Sequence, residues 1–123
     1  MCSVLRASSS LIGLGSFIFA ARRRWADAAL LGACAVVSQL FWRRGERGGA
    51  LHAVDAALAK ATVAHFVLKT RMSKPYAGVL CCVALSAWGS DVASGRGWLS
   101  RAHVARHTCL HVSCFVASLF ALR

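Results

Sequence analysis

Apolar residues collect in five blocks free or nearly free of charge, at positions 7–21, 28–42, 51–68, 76–90 and 108–122. Runs of Arg, Lys, Gly and Ser separate them. Each block is about 15 to 18 residues long, roughly 22 to 27 Å as helix against the ~30 Å of a hydrocarbon core. Flanking arginines that snorkel, with Trp25, Trp42, Trp88 and Trp98 near block ends, would complete each crossing. The pattern predicts an all-α polytopic bundle in one integral membrane domain, 1–123, with spans near 7–22, 25–42, 51–69, 76–92 and 102–122. Four spans remain open if the first is removed as a targeting segment or the third lies on the membrane surface.

Composition supports this reading. Of 123 residues 58% are hydrophobic and mean hydropathy is +0.58, above the range of an ordinary soluble domain. A soluble bundle would need long polar helix faces, which these blocks lack. The net charge of +11 raises nucleic acid as a partner, but the cations stand at block ends, where membrane helices meet anionic headgroups, and no nucleic-acid motif is present. The partners predicted are the lipid bilayer and larger subunits of a membrane complex. Loop cations divide evenly between the two sides, so charge bias assigns no orientation. The first segment, with Arg6, Ser8–Ser10 and Arg22–Arg24 and no acid before Asp27, has the composition of an organelle transit segment as well as of a first span. The location expected is an organelle membrane, with the mitochondrial inner membrane as candidate, or an endomembrane, and the sequence does not decide between them. The six cysteines lie almost wholly inside apolar blocks and read as small buried hydrophobes.

Asp27 falls in a first helical turn, where the helix dipole favours a carboxylate. Ser38 and Gln39 are polar positions able to bond a neighbouring helix, and small residues from Ala28 to Ala35 allow close approach. The third block is the most polar, with His52, Asp55, Lys60, Thr62 and His65; helical spacing puts His52, Asp55 and Thr62 on one broad face and Lys60 and His65 elsewhere. Pro75 fits a helix start.

Chemistry concentrates in the last block. His103, His107 and His111 recur every four residues and stack along one face, continued by Cys114 and Ser118. Imidazoles at bilayer depth must face protein, water or an ion. Three readings follow. With His52 and Asp55, the seam could hold zinc and an activated water. It could hold haem, with His65 or His107 as axial ligand and arginines on the propionates. Or the rings could fix packing through Ser38, Gln39, Asp55 or backbone carbonyls.

Ser38 in one segment, Asp55 near the start of the next and His103xxxHis107 in the last form a sparse pattern that resembles the CREST membrane hydrolases, the group of alkaline ceramidases and progestin-adipoQ receptors. In that family a Ser, an Asp and three His surround zinc within a seven-helix bundle, and the substrates are lipid amides. The resemblance implies that His103 and His107, with His52 as third, would ligate zinc, with Asp55 and Ser38 around its water. His107 and His111 would be the working pair if His103 sits too near the helix start. The alternative is a non-catalytic, or haem- or quinone-binding, small subunit of an organelle complex.

Overall fold

A computed structural model describes residues 2–44 and 46–123 and contains five α-helices. They are α1 (Cys2–Ala21), α2 (Trp25–Arg44), α3 (Ala50–Lys69), α4 (Lys74–Arg96) and α5 (Arg101–Leu119), the last continued by a 3-10 turn, Phe120–Leu122. There are no strands among the described residues. All five are long and apolar enough to cross a membrane, so the chain is a multi-pass integral membrane protein.

The helices are longer than the apolar blocks because they take in flanking charges. The first begins at Cys2 and includes Arg6; the second runs through Arg43 and Arg44, whose cations suit the negative end of its dipole. At 20 to 23 residues, α1 to α4 each make up the length that the blocks lacked. Helix ends follow local chemistry. Ser73 caps α4, its hydroxyl accepting the Tyr76 N–H at 3.4 Å, and Pro75 occupies the first turn, where a missing N–H costs nothing. Ser100 caps α5 by accepting the His103 N–H at 3.2 Å. The first helix stops at Arg23, which takes φ +58°, while the Arg24 N–H reaches back to the Phe19 carbonyl at 2.9 Å.

Neighbours in space are not always neighbours in sequence. The first helix lies between α2 and α5; α3 packs on the outer side of α2 and α4 on the outer side of α5. Gly15 lets α1 approach both partners, since a Cβ there would stand 3.4 Å from Leu31 and 3.6 Å from Phe115. Consecutive helices α3 and α4 hardly touch along their length. At one end the Tyr76 hydroxyl donates to the Phe66 carbonyl at 3.4 Å, and at the other Arg47, in the loop before α3, donates to the Ser94 carbonyl at 3.1 Å. Between these ties the two backbones stand apart, a gap termed the lateral window.

The third helix buries only Thr62 and Phe66 of its twenty residues. What fastens it is polar. Asp27, 1% exposed, accepts from His65 Nε2 at 2.7 Å, from Lys69 Nζ at 2.8 and 3.0 Å, and from Arg24 Nε at 2.7 Å. Arg24 also donates to the Ala121 carbonyl, so the cluster joins α2, α3 and the chain's last turn. Asp27 therefore does more than complement a helix dipole, and His65 is committed to it. Trp42 and Trp98 depart from an interfacial belt, stacking inside the bundle at 5.8 Å, whereas Trp25 and Trp88 are exposed. Their flat faces fill the space where the ends of α2 and α4 converge on α5.

Asp27→Ala should lower stability in detergent by about 1–3 kcal/mol, less than the ~3–5 of a fully buried pair because its partners Arg24, His65 and Lys69 are partly exposed. Amide exchange in α3 should rise while α1, α2 and α5 stay protected; unchanged exchange in α3 would show that the cluster does not hold it.

Candidate functional site

Behind the window lies a cavity of about 550 Å³, within the ~300–1,000 Å³ of small-molecule sites. Leu31, Phe66, Leu80 and Val83 are among its carbon-lined walls. Ser38 from α2, His52 and Asp55 from α3, and His103, His107 and His111 from α5 all line this one space. The residues singled out in sequence are thus brought together, and His65 is not among them. Asp55 stands beside the Ser38 hydroxyl, which also pairs with Ser9 of α1 at 3.0 Å.

An aromatic layer closes one end. His52 stacks on Phe41 with ring centroids 5.1 Å apart, and His103 packs on Trp98 at 4.7 Å. Trp42 meets His107 edge to face at 4.9 Å, and His107 meets His111 at 4.7 Å. Arg47 lies over the Trp98 ring at 5.7 Å. His103 lies in the first turn of α5 yet is only 2% exposed, because this layer covers it.

Each of the four rings has a partner on Nδ1, and the partner fixes what Nε2 can do. His52 accepts the Gly48 N–H at 3.3 Å and His103 accepts the Leu99 N–H at 3.1 Å. A backbone N–H only donates, so these neutral rings carry their proton on Nε2 and present a donor there. Leu99 holds φ +58°, a left-handed conformation unfavourable for its side chain, while its amide is bound to His103. His111 differs. Its Nδ1 lies 2.7 Å from Ser8 Oγ, which also lies 3.0 Å from the Leu5 carbonyl. The serine proton can go to either, so His111 can hold its own proton on Nδ1 or on Nε2. Between them, His107 Nδ1 shares a bond of 2.9 Å with Ser90, in which either group can donate.

The packing partners thus differ from those expected. Ser8, Ser90 and backbone amides hold the rings, while Gln39 bonds the Arg6 carbonyl and Ser10 of α1. The signal available for Ser8 was a hydroxyl inside an apolar segment, the same kind of signal that marked Ser38. Trp42 adds a further donor: its indole N–H is buried without a partner among the described residues.

A metal-bound imidazole needs its lone pair on the ligating nitrogen and its other N–H on an acceptor. The serine partners of His107 and His111 allow that tautomer; His52 and His103 present protons instead. Among the described residues no three of His, Cys, Asp or Glu gather closely enough to hold one ion. This arrangement does not fit a three-ligand zinc site, and haem loses His65 as an axial ligand to Asp27. What the pole can do is hydrogen-bond a polar head: His52, His103 and Trp42 offer donors, Asp55 offers an acceptor, and His107 and His111 can present either.

No protein-family model, curated protein or solved structure matches this chain. The fold and site define a class, a five-helix membrane protein with a polar pole inside an apolar, laterally open cavity.

Ser8→Ala should destabilise the bundle by about 1–3 kcal/mol in detergent unfolding, since it leaves the buried His111 Nδ1 without its partner. Wild-type stability would contradict the assigned hydrogen bond.

Proposed function

We propose that the protein binds a membrane amphiphile, with the chain of the ligand in the apolar cavity and its head at the His/Asp/Ser pole. The observation that carries this reading is that Ser38, His52, Asp55, His103, His107 and His111, from three helices, line one largely apolar cavity, which is bounded by α3 and α4 where their backbones stand apart. A mixed set of donors and acceptors suits an amide head, whose N–H and C=O need one of each. The CREST resemblance points to the same ligand class. The Arg- and Ser-bearing, acid-poor first helix favours an organelle membrane, the mitochondrial inner membrane in particular.

A second reading, lipid-amide hydrolysis, is favoured by the joint presence of Ser38, Asp55 and His107 on the cavity wall. In it Asp55, beside Ser38, acts as general base on the attacking group.

In bilayer nanodiscs, a fluorescent fatty-acyl amide should bind saturably at one per chain, and Val83→Trp, which fills the cavity wall, should weaken binding at least roughly tenfold. Absence of saturable binding would contradict the proposal. Release of fatty acid by the wild type, lowered about a hundredfold or more in Asp55→Asn, is the outcome for the hydrolase. Binding without release removes hydrolysis and leaves the binding function. Zinc analysis of the same sample adds a separate readout: stoichiometric metal lost in an inserted His107→Ala variant would replace the hydrogen-bonded arrangement of His52 and His103 by a ligand set.

A further inference from the structure

Lys60 stands halfway along α3, about 15 Å from the start of the helix and nearly as far from its end, beyond the reach of a lysine side chain to either interface. Its side chain is exposed at the rim of the window, and among the described residues the ammonium has no hydrogen bond or ion pair. The other cations placed within helices show how the fold treats such a charge when it can. Lys69 sits on Asp27, and Arg106 donates to the Gly89 carbonyl at 3.1 Å. A cation at bilayer depth facing hydrocarbon is unfavourable unless it finds an opposite charge or a carbonyl.

The chain's own carboxylates do not supply one. Asp55 turns into the cavity beside Ser38, Asp27 already accepts from Arg24, His65 and Lys69, Glu46 lies in a loop, and Asp91 borders the cavity towards the C-terminal end of α4 without an ion pair to Lys60. A second copy of this chain would therefore bring no carboxylate to that depth. Lipid headgroups lie at the interface, a helical half-length away. The exposed face around Lys60 is built of Ala53, Ala57, Ala61 and Ala64, small enough for another backbone to come close. We propose that this face of α3 docks a transmembrane helix of a partner protein that carries an aspartate or glutamate at mid-membrane depth, paired with Lys60. Lys60 and Ala64 also border the cavity, so an anionic head held there is the competing partner for the ammonium, and the oleate arm of the test separates the two.

The probe is a synthetic leucine–alanine transmembrane helix with one central Glu, labelled for energy transfer to the full chain in phosphatidylcholine vesicles. Wild type should bind it roughly tenfold more tightly than Lys60→Met does, and the matched helix with Gln should lose the same factor. Lys60→Glu should reject the Glu helix and accept one with a central Lys. Circular dichroism and vesicle flotation establish that each variant folds and inserts. Equal binding by Lys60→Met, or by the Gln helix, would overturn the proposal. So would Lys60-dependent self-association of the wild type, which would make a second copy the occupant, or displacement of the Glu helix by oleate at one per chain, which would assign Lys60 to a lipid carboxylate.

Discussion

The whole site depends on how α3 is held, since that helix forms one wall of the cavity and brings His52 and Asp55 to it. Apolar packing does little of this, with two buried residues in twenty. In a bilayer there is no hydrophobic force between helices comparable to that in water, and polar contacts with close packing decide association. The third helix is pinned at both ends by such contacts: Asp27 with His65, Lys69 and Arg24 at one, and the stacking of His52 on Phe41 with the Arg47 bond to Ser94 at the other. Between these pins it stands away from α4. The window, and so the access of lipid to the interior, follows from that separation.

The same rule that buried polar groups must be paired shapes the seam of histidines. Every ring uses Nδ1 for an internal bond, which fixes ring orientation and sets the character of Nε2. Donors then lie towards the aromatic layer, and His107 and His111, deeper along α5, can present either a donor or an acceptor. Such a polarised line inside apolar walls is suited to orient a head group having both a donor and an acceptor. A metal ion needs the opposite polarity at two of the four rings.

Much of the architecture was legible in the chain because a bilayer imposes length and apolarity on each span. The charge-free blocks gave five helices, and only their ends shifted, where Arg6, Arg43, Arg44 and Arg96 extend a helix that hydropathy alone would stop. The grouping of Ser38, His52, Asp55 and the α5 histidines on one space was also readable, from helical spacing and the need of polar groups for an interior. Lateral order was not. The placement of α1 between α2 and α5, which makes Ser8 the partner of His111 and Ser9 that of Ser38, depends on packing of glycines and serines that periodicity cannot rank. Nor could spacing show that Asp27 would draw His65 and Lys69 from 38 and 42 residues away in sequence, or that Trp42 and Trp98 would leave the interface to cover His103 and His107.

The central claim is that a lipid-like molecule enters this cavity from the side and presents its head to the histidines. Its most direct test is photolabelling of the protein in bilayers with two fatty-acyl amides, one bearing a diazirine at the head and one at mid-chain, followed by peptide mapping. The account predicts head-group adducts on His52, His103 or His107 and mid-chain adducts on Phe66, Leu80 or Val83. Adducts confined to outward residues such as Phe17, Leu68 and Leu85 would show that lipid only surrounds the bundle, and would contradict it.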